Sequence, residues 1–185
     1  EGNSTEGNST EENGAVKYKG TYLISGGMGG LGQLFAHHLA KNYKANIILF
    51  GRSKPAHQHQ SVIASLLANG ASSVRYENLD VSDKAALITL SEELDAEKVT
   101  LTGIIHAAGV AGNKLITKAS YDDFAAVLLP NTDGSIALNQ VFDQCEWICH
   151  FSSSSAILGD FGACSYAVGK RFQMAICPSN TQTRN

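Results

Sequence analysis

No apolar run in this sequence approaches the ~20 residues that a membrane-crossing helix requires. The chain opens on Glu1 and polar residues, not on a basic stretch followed by an apolar one, which reads against a secretory signal. Nor is there a basic excess: 14 Lys and Arg face 17 Asp and Glu, a net charge of −3. With a pI near 6.1, no global field draws nucleic acid or anionic lipid, so neither nucleic acid nor membrane is an expected partner. No CxxC pair occurs, and the four cysteines, Cys145, Cys149, Cys164 and Cys177, all lie in the last quarter. Such a cluster cannot staple the whole chain, so buried or half-buried free thiols in a reducing, cytoplasmic setting are expected. No metal site is expected of these cysteines with His106 and His150.

What is present describes one domain with tails. The 185 residues are 43% hydrophobic and 17% charged, which excludes wholesale disorder. A chain of this size buries roughly 70% of its extended surface and needs no staples. Residues 1–16 begin with a duplicated EGNST pentapeptide and read as a disordered tail or linker, their two N-x-[ST] sequons being accidental without a secretory signal. Residues 17–176 carry the domain, and 177–185 have no strand or helix period and read as a polar tail.

Within the domain, short apolar runs alternate with helical stripes. Strands are expected at 21–25, 46–50, 74–79, 101–106 and 147–152. Helices are expected after the first strand, around Val62–Leu67, around Leu87–Leu94, from Tyr121 to Phe142 with a perturbation at Pro130, and over Ser165–Met174. This alternation predicts an α/β fold with a doubly wound, Rossmann-type parallel sheet, whose ligands bind at the carboxyl ends of the strands.

The loop Ser25-Gly26-Gly27-Met28-Gly29-Gly30-Leu31-Gly32 falls there, between the first strand and the first helix. Gly27, Gly29 and Gly32 fit GxGxxG, a spacing that lets the backbone approach a pyrophosphate at a helix N-terminus, or that merely makes a tight turn. No Gly-Lys-[Ser/Thr] follows, which excludes a P-loop. The second strand ends in Gly51-Arg52-Ser53-Lys54, where an NAD enzyme places an acidic residue. Arg52 can bond a 2′-phosphate, favouring NADPH over NADH, or it is a solvated surface arginine. Tyr166 and Lys170, at i and i+4, share a helical face, where an ammonium stabilises a phenolate. Ser153, thirteen residues earlier, closes the fifth strand and can reach the same crevice.

These segments, with Leu79-Asp80-Val81, His106-Ala107-Ala108-Gly109 and Phe151–Gly159, resemble the short-chain dehydrogenase/reductase family, most closely the ketoreductase domain of modular polyketide synthases. They run in family order from about residue 19 to 174. The resemblance implies that Asp80 contacts the adenine amino group, Val81 packs against the ring, and His106–Gly109 line the adenosine ribose. It assigns the substrate carbonyl to Ser153, proton donation to Tyr166, and the nicotinamide ribose to Lys170. Many polyketide ketoreductases carry Lys in the fourth helix and Asn four residues after Tyr; here Asn131 and Lys170 exchange those places, completing a tetrad. The segment associated with one product stereochemistry falls at Ala111-Gly112-Asn113 without matching, and the Trp associated with the other is absent near Leu158, so handedness stays open. Phe151 and Asp160-Phe161 either shape the mouth of the site or, by preference, pack in the core.

The resemblance further implies NADPH-dependent reduction of a β-ketoacyl chain on the phosphopantetheine of an acyl carrier protein, beside other synthase domains. The sequence ends 15 residues after Lys170, so the lid and last strands are expected to be missing and the fragment weak or inactive. A stand-alone short-chain reductase of a small carbonyl and a non-catalytic NADP-binding module are the alternatives.

Overall fold

The computed structural model describes residues 15–112, 114–159 and 161–181. Residues 1–14 of the expected tail, Asn113 and Asp160 lie outside the described residues. Five strands, β1 Thr21–Ser25, β2 Asn46–Gly51, β3 Ser73–Asn78, β4 Gly103–His106 and β5 Trp147–His150, form a wholly parallel sheet in the order β3-β2-β1-β4-β5. Between them run α1 Gly30–Tyr43, α2 His57–Ala68, α3 Lys84–Ala96, α4 Tyr121–Asn131 and α5 Asp133–Val141, followed by α6 Ser155–Leu158 and α7 Cys164–Thr181. The expected α/β class and Rossmann-type winding are what the chain adopts.

The central strands are buried on both faces because helices cover both, which explains why TYLIS and NIILF read as continuous apolar runs. On one face Tyr22, Ile24, Ile47, Leu49 and Ile105 pack with Ala36, Leu39 and Ala40 of α1 and Leu66 of α2. On the other, Leu23, Ile48, Phe50 and Ile104 meet Leu87, Leu90 and Leu94 of α3 and Leu138 of α5. Period-two alternation along each strand divides the two cores.

Local chemistry sets several boundaries. Asp83 caps α3 by accepting from the Ala86 N–H at 3.1 Å, and Ser120 and Asp123 cap each other's backbone at the start of α4. Pro130 lies inside α4 and has no N–H to continue the ladder, and the anticipated perturbation shows two residues later, where Thr132 divides α4 from α5.

Four expectations need correction. The tail was expected to reach residue 16, yet the Ala15 carbonyl accepts from Trp147 Nε1 at 2.5 Å and Val16 packs on the core. Residues 177–181 continue α7 rather than begin a polar tail, because extending a formed helix costs far less than nucleating one. The fifth strand stops at His150, since Ser152 leaves the sheet to donate to the Lys170 carbonyl at 3.2 Å. Cys145 is buried and Cys164 half-buried as expected of free thiols, but Cys149 and Cys177 are exposed. Among the described residues no helix is long and apolar enough to cross a membrane, and no group of three or more potential metal ligands gathers.

Candidate active site

The strand order reverses between β1 and β4, whose last residues, Ser25 and His106, are register partners. This is the switch point at which a doubly wound sheet opens a crevice. A directed chain of hydrogen bonds closes it underneath. The Pro130 carbonyl can only accept, so His106 Nε2 donates to it at 2.9 Å. His106 Nδ1 then accepts from the Ser25 hydroxyl at 2.6 Å, and Ser25 Oγ accepts from the Ala108 N–H at 3.1 Å. Burial, reinforced by nearby His150 and then Lys170, lowers the His106 pKa to about 3, so the ring is neutral as this chain requires. Ser25 and His106 are both 0% exposed. Their side chains therefore position the loop residues around them, and lining of the crevice falls to Ala108 and Gly109.

Gly26 has φ +64°, and a Cβ there would meet the Ala107 carbonyl and Ala108 backbone at 2.8 Å. Gly32 allows the helix to press on the loop, for its Cβ would lie 2.5 Å from the Gly26 carbonyl oxygen. Gly30 differs: nothing lies within 4 Å of its Cβ position. No side chain caps the N-terminus of α1, and its first turn holds no acidic residue. The open Gly30 face beside these uncapped N–H groups suits a pyrophosphate. Leu31, the next residue, is exposed at the same turn.

Gly26, Arg52, Asp80, Val81, Ala108 and Gly109 come together around a cleft of about 120 Å³. Asp80 Oδ1 accepts from the Ser82 N–H and hydroxyl at 2.9 and 2.7 Å. Arg52 Nε stands 3.9 Å from Asp80 Oδ2, with its side chain 56% exposed. The Ser53 carbonyl is held by Tyr76 Oη and Asn78 Nδ2, which fixes the loop carrying Arg52. Larger hollows of about 310 and 400 Å³ lie at the opposite ends of the strands, beside Leu101 and Asn46, away from this machinery.

Tyr166 and Lys170 share one face of α7, and Lys170 Nζ is 5.5 Å from the tyrosine ring centroid. Lys170 is 6% exposed, and burial lowers its pKa to about 8. Asn131 is 0% exposed; its Nδ2 donates to the Val127 carbonyl at 2.8 Å, while Oδ1 is buried without a partner. That Oδ1 and Lys170 Nζ converge, at 3.8 and 4.0 Å from one point, the Cβ position of Gly109. An unmet buried acceptor and a buried ammonium that both reach the exposed Gly109 make this a polar site. The Ser153 hydroxyl donates to Ser155 Oγ at 3.2 Å and accepts from the Ser155 N–H. Phe151 packs against Phe35 as preferred, with ring centroids 5.0 Å apart, whereas Phe161 is 92% exposed and has no core role.

The sequence reading missed four residues of this region: Ser135, Asn139, His150 and Gln173. Ser135 and Asn139 continue the four-residue spacing from Asn131, and Gln173 lies one turn beyond Lys170, a repeat that could have marked a polar stripe.

Residues 20–184 match the family described as KR domain. This chain belongs to the KR domain family. Polyketide synthase PksM of Bacillus subtilis (strain 168) is 42% identical over 176 residues, 94% of this chain and 4% of PksM. Polyketide synthase ThaG of Burkholderia thailandensis is 38% identical over 84% of this chain and 3% of ThaG. The chain therefore spans a small fraction of the curated relatives it matches. A crystal structure of a ketoreductase domain from the bacillaene assembly line superposes with a TM-score of 0.82 at 34% identity, covering 89% of this chain and 40% of that one. A short-chain dehydrogenase of Shigella flexneri complexed with NADP gives a TM-score of 0.81 at 18% identity, which shows that this KR domain shares the wider fold.

Proposed function

We propose that this KR domain serves the NADPH-dependent reduction of a β-ketoacyl thioester on an acyl carrier protein to the β-hydroxyacyl product, within a cytoplasmic polyketide assembly line. Membership of the family and resemblance to domains of polyketide synthases support this reading. The observation that carries it is the pairing of Tyr166 with a buried Lys170 whose ammonium reaches Gly109.

The residues present fit a dinucleotide. The turn from Ser25 to Gly32 would hold the pyrophosphate, Arg52 and Ser53 the 2′-phosphate, and Asp80 with Val81 the adenine. Ala108 and Gly109 would line the ribose, with Ala107 behind them on the core, and Lys170 would bind the nicotinamide ribose. A reduced nicotinamide supplies hydride when bound. The chain's own work is to place and protonate the carbonyl. Ser153 would release Ser155 and donate to the carbonyl oxygen, while Tyr166 Oη would deliver the proton to the developing alkoxide. The Lys170 ammonium favours the tyrosinate left behind, and Asn131 Oδ1 supplies an acceptor beside that ammonium.

The test follows NADPH oxidation with a β-ketoacyl thioester of N-acetylcysteamine, beside Tyr166→Phe. Turnover by the parent, reduced at least roughly 10²-fold in the variant, supports the reading. Tight NADPH binding without turnover on any ketone would favour a non-catalytic binding module instead.

A further inference from the structure

Two polar stripes face each other within the helical layer. One passes through Asn131, Ser135 and Asn139 and crosses the interruption at Thr132. The other follows α7 through Tyr166, Lys170 and Gln173. His150 of β5 joins them: its Nδ1 lies 3.4 Å from Ser135 Oγ and its Nε2 accepts from Asn139 Nδ2 at 3.2 Å.

Gln173 is 1% exposed, so both ends of its amide must be satisfied. Lys170 Nζ donates to Gln173 Oε1 at 3.0 Å, and Gln173 Nε2 donates to Ser135 Oγ at 3.1 Å. The amide has one orientation. An ammonium has only protons to offer, so it must meet the carbonyl oxygen. Ser135 has a single proton, committed to the Asn131 carbonyl at 2.7 Å, so it must accept from the amide nitrogen. Flipping Gln173 would set two donors against each other.

The titratable groups facing Lys170 are Tyr166 on its own helix, His106 of β4 and His150 of β5. The α4–α5 side presents neutral Asn131 and Ser135. Among the described residues no carboxylate pairs with Lys170. A carboxylate in place of Gln173 would make the same hydrogen bond and cancel the charge.

We propose that Gln173 is the positioning residue for Lys170: its neutral amide, itself held by Ser135, aims the ammonium at Tyr166 without cancelling its charge. This rests on the reading of Tyr166 as proton donor, and the experiment has one arm that does not. In that arm the Lys170 Nζ resonance, identified by its loss in Lys170→Arg, is titrated by nitrogen-15 NMR in the wild-type chain and in Gln173→Glu. A new carboxylate against the ammonium should raise the midpoint by about one pH unit or more. An unmoved midpoint in folded Gln173→Glu would overturn the proposal.

The second arm follows thioester reduction by NADPH against pH. The new carboxylate should keep Lys170 charged to higher pH and so move the alkaline limb, where the ammonium loses its proton, upward by about one unit in Gln173→Glu. A limb that stays in place in the folded, active variant would also overturn the proposal. Gln173→Met, close in volume and uncharged, should lower kcat about tenfold through lost aim. Unchanged kcat there would count against the proposal even if Gln173→Glu failed to fold. A moved NMR midpoint with no turnover by the wild-type chain would retain Gln173's hold on Lys170 and count against reductase activity in this chain alone.

Discussion

Ser25 at the end of β1 donates its hydroxyl proton to His106 Nδ1 at the end of β4, across 2.6 Å and with both residues fully buried. This bond ties the strand that feeds the glycine loop to the strand that feeds Ala107–Gly109. Through Pro130 it reaches the turn that carries Asn131.

Ser25→Ala should therefore do more than remove one hydrogen bond. It leaves the Ala108 N–H and His106 Nδ1 without partners, a loss of about 1–3 kcal/mol per unmet buried group before water enters. Urea denaturation should show the loss, and NADPH affinity should fall with it because Ala108 and Gly109 line the cleft. An unchanged denaturation midpoint would remove the bond from any structural role.

Acid should weaken the fold early. His106 and His150 have pKa values lowered to about 3 and 4 from an ordinary 6.5, mainly by burial. Below pH 6.5 the unfolded chain takes up protons that the folded chain refuses. The stability from keeping these rings neutral is complete above pH 6.5 and is lost progressively as pH falls toward 4 and 3. The urea midpoint should drop between pH 7 and pH 5, and His106→Asn, if folded, should show a shallower dependence. An equal slope would assign the acid sensitivity elsewhere.

The two glycines at the start of α1 should part company. Gly30→Ala meets open space and gains helix propensity, so its melting temperature should be unchanged or slightly raised while NADPH binding weakens. Gly32→Ala forces a carbon to 2.5 Å from the Gly26 carbonyl oxygen and should destabilise by about 1–3 kcal/mol. Full NADPH affinity in Gly30→Ala would argue against a ligand approaching that face.

Arg52→Ala should change cofactor choice with little effect on folding. Its pairing with Asp80 is exposed and 3.9 Å long, a geometry worth about 0–1 kcal/mol. NADPH affinity should fall about 10- to 100-fold with the 2′-phosphate contact gone, while NADH affinity stays within a few-fold. Equal losses for both nucleotides would show Arg52 acting on the loop rather than on the phosphate.

Much of this was legible along the chain because its physics is local. The runs at Thr21–Ser25 and Asn46–Phe50 are apolar throughout because a parallel strand covered on both faces has no solvent side. The glycine spacing, the Tyr–Lys repeat and the perturbation that follows Pro130 each act within a few residues. The polar stretch after Cys177 carries no such period, and its helical backbone through Thr181 follows from the packed turns before it.

Fold class, strand order along the chain, the nucleotide-type loop and the Tyr166–Lys170 face were thus determined by the sequence itself. The partners of Lys170 and Asn131 were decided by tertiary structure alone. Ser135, Asn139 and Gln173 are polar residues whose spacing equally suits a solvated helix face, and only the packing of α4 and α5 against α7 and β5 buries Ser135 and Gln173 and half-buries Asn139 and His150. Once buried, Ser135 and Gln173 must each find a donor or acceptor within about 3 Å. That requirement arises from residues far apart in the chain meeting in space, and no local pattern encodes it.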